Sequence, residues 1–164
     1  MDITAATKAD LADCQSIYAH HVLFGAGTFE EAPPAFEEIT ARYESVASQG
    51  WAWLVAKDET GVLGFGYYAQ FRPRSAYRFT AEDSVYVRDS VRGQGVGKAL
   101  VAALLEHAAQ RGFTQMLALI GDSENTASIG VHASLGFLPA GTMRKVGYKF
   151  DRWIDVVTMQ KSLG

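Results

Sequence analysis

The sequence of 164 residues predicts a single α/β domain, residues 1–164, in which a mixed, mostly antiparallel sheet is flanked by helices. Three observations carry this prediction. Apolar residues recur with helical spacing in some segments and with strand-like alternation in others, and the two kinds are interleaved along the chain. A turn signal at residues 58–61 joins two strand-like runs into a hairpin. From residue 77 onwards the pattern is strand, helix, strand, helix and two further strands.

The amino-terminal elements are a short strand and two helices. The strand covers Ile3–Ala5, and Thr7 with Asp10 resembles a capping box that opens the first helix. That helix ends near Phe24, and its apolar face carries Leu11, Cys14, Ile17, Tyr18 and His21. Two glycines and two prolines mark residues 25–34 as an ordered loop, and helical spacing resumes from 36 to 50.

Two antiparallel strands follow at Trp51–Lys57 and Val62–Phe71. A break at Arg72–Arg74 separates them from a long strand predicted at Tyr77–Val87. Because side chains alternate along a strand, one face of this long strand carries Arg78, Thr80, Glu82, Ser84 and Tyr86. Glu82 is therefore expected to lie mid-strand.

The remaining elements complete the sheet. They are a helix at Lys98–Gln110, a strand at Thr114–Ile120, a helix at Thr126–Leu135 and strands near Phe137–Met143 and Trp153–Gln160. The apolar stripe of the first of these helices consists of Leu100, Val101, Leu104, Leu105 and Ala108. The three tryptophans lie on strands and are predicted to be core or interface residues: Trp51, Trp53 and Trp153.

Composition and charge argue against several classes of function. The 15 Lys+Arg and 18 Asp+Glu give a net charge of -3, so we expect no binding to nucleic acid or to an anionic membrane. The longest apolar run, Ala99–Leu105, is far shorter than the ~20 residues that span a bilayer, and the first residues resemble no signal peptide. A cytoplasmic protein is expected.

Cys14 is the only cysteine, and the adjacent His20 and His21 diverge around a helix, so no metal site is predicted.

The most informative local feature is the segment Arg92-Gly93-Gln94-Gly95-Val96-Gly97-Lys98, which follows a strand and opens a helix. Glycines let backbone N–H groups approach an anion, and the helix N-terminus adds a favourable dipole, so the segment predicts a phosphate cradle. A Walker A loop requires glycine at position 92 and Ser or Thr at position 99, where this chain has Arg92 and Ala99. A dinucleotide-binding loop is disfavoured because its third glycine comes one residue early. A glycine-rich turn without any ligand is the remaining alternative.

The surviving pattern, R-G-x-G-x-G/A between strand and helix, resembles the pyrophosphate loop of the GCN5-related N-acetyltransferases (GNAT). The resemblance implies the GNAT fold, with acetyl-CoA as the acetyl donor. It implies that acetyl-CoA is bound by Val85, Tyr86, Val87, Arg92, Gly93, Gln94, Gly95, Val96, Gly97, Lys98, Asn125 and Ser128. Asn125 equally suits a helix N-cap, and both roles can coexist. Many GNAT enzymes carry a proton-donating tyrosine seven residues after this asparagine, where the present chain has His132.

Three further segments resemble the phosphinothricin N-acetyltransferases and their methionine sulfoximine/sulfone-acetylating relatives: Thr80–Val87, Ile120–Asp122 with Asn125 and Ala127–Ile129, and Val146–Asp155. The likeness extends from Ile3 to Leu163, and it implies Glu82 and His132 as the catalytic acid/base residues. In direct transfer within a ternary complex, Glu82 would accept the amine proton and strand N–H groups would bind the oxyanion. The departing coenzyme A thiolate would then accept a proton, either from His132 or from another source. A purely structural role for either residue stays open.

An amino-acid-like acceptor needs a counter-charge for its carboxylate or phosphinate. The candidates are Arg72, Arg74 and Arg78 beside the break before the Glu82 strand, and Lys149. Phe29, with Phe24 and Thr28, is a candidate to shape the acceptor pocket, and packing is the alternative role for all three. The resemblance also implies a homodimer with the pocket near the subunit interface.

Two other functions stay open. A GNAT enzyme could acetylate a different amine, such as an aminoglycoside, a polyamine or a protein N-terminus. Four glutamates would suit a polycation, although they would also cap and solvate the second helix: Glu30, Glu31, Glu37 and Glu38. A non-catalytic acyl-CoA-binding module would keep the glycine loop, but the joint presence of Glu82 and His132 argues against it.

Overall fold

The computed structural model describes residues 1–164 and contains seven strands and four helices. The strands are β1 (Asp2–Ala5), β2 (Trp53–Asp58), β3 (Gly61–Gln70), β4 (Thr80–Val87), β5 (Gln115–Gly121), β6 (Leu138–Lys149) and β7 (Arg152–Ser162). The helices are α1 (Leu11–Phe24), α2 (Phe36–Ser48), α3 (Val96–Gln110) and α4 (Thr126–Ser134). None of these helices is long and apolar enough to cross a bilayer.

All strands join one sheet in the order β1-β2-β3-β4-β5-β7-β6. Every neighbouring pair is antiparallel except β4 and β5, which run parallel. The β4–β5 pairing is short, because it joins only Thr80–Glu82 to Gln115–Leu117. Beyond that point the two strands separate while β3 still pairs with β4 up to Val87. The sheet therefore opens between β4 and β5, as expected for a strand that leaves backbone groups free for a ligand.

Helices cover both faces of the sheet. On one face α3 packs through Val101, Leu104 and Ala108 against Ala81 and Met116. On the other face α1 and α2 pack against the first strands in a cluster that includes Cys14, Ile17, Ile39, Trp53 and Phe65. Both layers remove apolar side chains from water, which is the main favourable contribution to folding. Successive residues of β4 consequently face different helix layers.

Local sequence signals are confirmed where they act over a few residues. The backbone N–H of Thr7 donates to Asp10 at 2.8 Å, which completes the capping box before α1. The turn at residues 58–61 joins β2 and β3 as an antiparallel hairpin. Cys14 is a fully buried core residue.

Two predicted strand boundaries were wrong by three residues or more. β4 begins at Thr80 rather than Tyr77, because Ser75–Tyr77 forms a single 3-10 turn. Arg78 closes that turn by donating to the Ser75 carbonyl, so it lies outside the strand and does not share the face of Glu82. The predicted strand ending at Met143 continues to Lys149 as β6, with an irregularity in pairing between Met143 and Gly147.

The three tryptophans differ in burial. Trp53 is buried and stacks on Tyr67 with ring centroids 4.5 Å apart. Trp153 is 62% exposed and contacts Tyr148 on the neighbouring strand. A core role is therefore wrong for Trp153, because β6 and β7 form the outermost pair of the sheet and no helix covers this side chain.

Candidate active site

The opening between β4 and β5 leads into a cavity of about 570 Å³. Its walls come from β4, β5, the amino-terminal turns of α3 and α4, and the loop segment Gly25–Gly27. This is the size range of small-molecule and cofactor sites. The titratable side chains on its walls are His21, Asp83, Tyr86, Arg92, Lys98, Asp122, Glu124, His132 and Arg152.

One end of the cavity is the glycine loop. Gly93 and Gly95 have φ values of 75° and 83°, a left-handed conformation that favours glycine. The first amide bonded within α3 is that of Ala99, which donates to the Gly95 carbonyl. The preceding amides of the helix start, at Val96, Gly97 and Lys98, are free of intrahelical partners and are suited to bind an anion.

The predicted loop residues do not all face the cavity. Arg92, Gly93, Gly95, Val96, Gly97 and Lys98 line it, whereas Gln94 does not. The guanidinium of Arg92 is largely exposed and pairs with Asp89 at 3.1 Å. Exchange of that surface carboxylate for a phosphate would cost little, because exposed ion pairs contribute at most about 1 kcal/mol.

Backbone alternation explains which groups of β4 face the opening. The Thr80 carbonyl accepts from Phe71 and the Arg88 N–H donates to Leu63, so even-numbered residues bond to β3. The backbone groups of Val85 and Val87 therefore point to the side from which β5 has departed. One of these groups, the Val87 carbonyl, already accepts a hydrogen bond from His21 Nε2 on α1 at 2.8 Å. The N–H groups of Val85 and Val87 remain directed toward the cavity.

A buried pair joins β4 to α4. His132 Nε2 lies 2.9 Å from Asp83 Oδ2, and His132 Nδ1 lies 2.8 Å from the Ser128 carbonyl oxygen. Burial alone lowers the pKa of His132, but the hydrogen bond and charge of Asp83, with the Ser128 carbonyl, outweigh burial and raise the pKa overall. Sequence reasoning missed Asp83, although alternation in β4 places this carboxylate on the apolar face of Ala81 and Val85.

Asn125 is the N-cap of α4, because its side-chain oxygen accepts from the Ser128 N–H at 3.2 Å. Both residues also line the cavity. The helix-capping role is therefore present and leaves the Asn125 amide group at the cavity wall.

Glu82 lies on the opposite face of β4 from Asp83. It is partly buried, does not line the cavity, and faces the α1/α2 side of the sheet beside Ser84. Burial raises the pKa of the Glu82 carboxyl, with Arg72 opposing and Asp83 reinforcing the shift. A carboxylate in such a position is a better proton acceptor near neutral pH than an exposed one.

The chain is similar to known acetyltransferases in both sequence and fold. Residues 3–158 match the acetyltransferase (GNAT) domain family. The chain belongs to the GNAT family. It is an N-acetyltransferase by this membership, and its mixed seven-stranded sheet flanked by helices is the GNAT fold.

Named relatives are similar over nearly the whole chain. A phosphinothricin N-acetyltransferase of Alcaligenes faecalis is 48% identical over 94% of this chain and 78% of its own length. An L-methionine sulfoximine/L-methionine sulfone acetyltransferase of Pseudomonas paraeruginosa is 43% identical over 98% and 94%. A GNAT phosphinothricin acetyltransferase of Sinorhizobium meliloti, solved in complex with acetyl-CoA, is 41% identical, with a TM-score of 0.96 over 99% of this chain and 88% of that one.

In this acetyltransferase the loop after α1 is fixed against the end of the sheet opening. The Tyr18 hydroxyl and Thr28 Oγ1 are 2.8 Å apart. Added Cβ atoms show how closely the loop packs: one at Gly121 would lie 2.1 Å from the Ala26 carbonyl oxygen, and one at Gly147 would meet the Phe29 ring. Phe29 therefore packs over β6 while 39% of its surface stays exposed.

Lys149 binds the same loop through its ammonium group. Its Nζ donates to the carbonyls of Gly25 at 2.8 Å and Thr28 at 2.9 Å, and the residue is only 2% exposed. The expectation that Lys149 offers a free counter-charge is corrected by this contact, because its ammonium already binds two loop carbonyls and does not line the cavity.

The three candidate arginines are all exposed and lie outside the cavity lining. Arg72 lies over the Phe71 ring and acts electrostatically on Glu82. Arg78 lies over the Phe79 ring and donates to the chain turn, and Arg74 caps that turn. Of the three, Arg72 is the one whose charge reaches the candidate base.

Proposed function

We propose that this N-acetyltransferase transfers acetyl from acetyl-CoA to the α-amine of phosphinothricin, methionine sulfoximine, methionine sulfone or a similar amino-acid analogue. The observation that carries the proposal is the position of Glu82 and His132 on the two sides of β4, where it separates from β5. The names of the similar proteins support the acceptor class.

The cavity suits acetyl-CoA. The free amides of Val96, Gly97 and Lys98 would bind the pyrophosphate, and the open edge of β4 would align the pantetheine arm. Acetyl-CoA supplies a thioester carbon for attack and a thiolate leaving group. The relative solved with acetyl-CoA supports this assignment.

Glu82 is proposed as the general base. An α-amine is largely protonated near neutral pH and must lose a proton before it attacks. The partly buried Glu82, with its raised pKa, would accept that proton directly or through water. The amine would approach from the α1/α2 side of the sheet, so that it meets the thioester at the opening.

The N–H groups of Val85 and Val87 are proposed to stabilise the developing oxyanion. They point to the unpaired side of β4, and fixed donors of this kind cost no reorganisation during reaction. Transfer is direct in this scheme. Cys14 is an unsuitable acyl carrier because it is fully buried and burial raises the pKa of its thiol to about 12.

Arg72 is proposed to attract the carboxylate of the acceptor, and Arg74 and Phe29 are proposed as further acceptor contacts. The support is the electrostatic effect of Arg72 on Glu82, which places positive charge within range of the amine-binding side.

N-acetylation removes the charged amine of the analogue and would confer resistance to it. Because acetyl-CoA is a cytoplasmic metabolite, we place the reaction in the cytoplasm.

The function is tested by release of coenzyme A from acetyl-CoA with phosphinothricin, methionine sulfoximine, methionine sulfone, spermidine or an aminoglycoside. Rapid release is expected with the first three. Glu82→Gln should lower kcat/KM by about 10²-fold or more, whereas Glu59→Gln in the exposed β2–β3 turn should not. Turnover of spermidine or the aminoglycoside alone would show that the acceptor belongs to a different class of amine. Acetyl-CoA binding without any turnover would favour a non-catalytic module.

We also propose that the protein is a homodimer that pairs through the β6–β7 edge. The support is a group of large apolar side chains on these strands and their turn that are about half or more exposed: Leu138, Met143, Val146, Tyr148, Phe150 and Trp153. Light scattering should give twice the chain mass of 17.8 kDa. Trp153→Arg should give the single-chain mass, while Leu23→Arg on α1 should remain dimeric; a monomeric unmodified protein would refute the proposal.

A further inference from the structure

Asp83 is a buried carboxylate to which the proposed mechanism assigns no role. Asp83 and His132 are only 7% and 5% exposed, and both Asp83 oxygens lie within 3.2 Å of His132 Nε2. Both residues also line the cavity on the α3/α4 side of the sheet. A carboxylate at such a place would be costly without a partner that shares its proton or charge.

The contacts of His132 determine how many protons its ring carries. Nδ1 faces the Ser128 carbonyl oxygen, which can only accept, so Nδ1 carries hydrogen. Nε2 faces the Asp83 carboxylate, which also accepts when ionised. With Asp83 ionised, both ring nitrogens are donors, and the pair holds one proton between Nε2 and the carboxylate. Asp83 is the one charged group acting on the ring, whose other neighbours are the Ser128 carbonyl and the Phe137 ring edge.

We propose that Asp83 is a positioning residue that keeps His132 doubly protonated at the cavity wall, so that the proton for the departing thiolate is in place before the thioester is cleaved. This inference rests on the proposed function and deepens it. Without Asp83, burial favours a neutral ring whose single hydrogen is already bonded to Ser128. His132 Nε2 would then be an acceptor and could not supply a proton.

The proton balance of the step is complete. When the carbon–sulfur bond breaks, its electron pair goes to sulfur, which takes the proton shared between His132 Nε2 and the Asp83 carboxylate. His132 becomes neutral, while its other hydrogen stays on Nδ1 and remains donated to the Ser128 carbonyl. The attacking ammonium group gives up two protons through Glu82 to solvent, and one proton returns from solvent to the Asp83–His132 pair. Each turnover therefore releases one net proton, as acetylation of an ammonium group by a thioester requires.

Asp83→Asn separates this role from a purely structural one. Asparagine keeps the size and can donate from its amide to a neutral Nε2, so the link between β4 and α4 survives while the shared proton is lost. We expect kcat to fall by about 10²-fold, with a smaller change in the KM for acetyl-CoA. The alkaline limb of the kcat–pH profile should move to lower pH, a shift that loss of packing alone does not produce. Asp58→Asn, which removes an exposed turn carboxylate, is the matched control.

Nitrogen-15 NMR of the histidine rings gives a readout that needs no turnover, with His132 assigned by His132→Gln. The unmodified protein should show an imidazolium with two ring N–H groups at pH 7, and Asp83→Asn should show a neutral ring. A neutral His132 in the unmodified protein, or an unchanged alkaline limb in Asp83→Asn, would overturn the proposal. If Asp83→Asn does not fold, the spectrum of the unmodified protein decides. Failure of the proposed function would instead appear as no turnover with any amine, with the imidazolium signal intact.

Discussion

Gly121 is the residue whose substitution tests most directly how the loop after α1 is fixed. It is buried at the end of β5 and lines the cavity. A Cβ atom there would lie 2.1 Å from the Ala26 carbonyl oxygen and 3.1 Å from the Phe29 ring. The first contact is with backbone, so in Gly121→Ala the loop must retreat by about 1 Å, at a cost of about 1–3 kcal/mol.

Two measurements follow from that displacement. The Tm should fall by about 2–4 °C for each kcal/mol lost, and kcat/KM for the acceptor should fall by about 10²-fold, because a 1 Å misplacement at a site has effects of that size. Gly130→Ala is the control: Gly130 is exposed in α4 with open space around it, so alanine should stabilise by about 0.5–1 kcal/mol. If Gly121→Ala retains both the unmodified Tm and kcat/KM, the loop is not held as argued.

Three further predictions concern buried polar contacts. Lys149→Met should destabilise the fold by about 2–4 kcal/mol in chemical denaturation, because two loop carbonyls lose a charged donor; an unchanged midpoint would contradict this. Tyr68→Phe should cost about 1 kcal/mol by breaking the 2.7 Å hydrogen bond to His107, and a neutral outcome would show that water replaces it. The pKa of Asp10 is lowered because the bonds to Lys57 and Thr7 outweigh its burial, so its stabilisation is present above pH 3.8 and disappears as pH falls through the lower folded pKa. Asp10→Asn should therefore be less stable than the unmodified protein at pH 7 and converge with it in acid.

Features that depend on neighbouring residues were predictable from the sequence. The capping box at Thr7 and Asp10, the β2–β3 turn and the glycine loop before α3 each act within a few residues. The position of Glu82 within β4 also followed from strand alternation, although the strand starts three residues later than the pattern suggested. The short β4–β5 pairing agrees with the expectation that a cofactor-binding strand leaves backbone groups unpaired.

Features that depend on distant residues were not predictable. Asp83 and His132 are 49 positions apart, and Lys149 is more than 120 positions from the loop carbonyls that it binds. Nothing local distinguishes a lysine that holds a buried loop from one that faces solvent. Arg78 shows that a single local turn also defeats the pattern. Alternation placed Arg78 on the same strand face as Glu82, but a 3-10 turn before β4 leaves Arg78 outside the strand. Long-range packing and single turns decide such cases.

The two proton-handling groups of the site arise from adjacent positions in one strand. Side chains alternate across a sheet, so Glu82 faces the α1/α2 side and Asp83 faces the cavity on the α3/α4 side. A closed sheet would keep these two sides apart. Here β5 leaves β4 directly after the Glu82–Leu117 pair, so both sides meet at the opening. The separation lets a carboxylate with a raised pKa accept protons on one side while the Asp83–His132 pair holds a proton on the other, without direct neutralisation between them. A one-residue shift of the β4–β3 register would exchange the two roles, which is why the long β3–β4 pairing, maintained to Val87, matters for chemistry as well as stability.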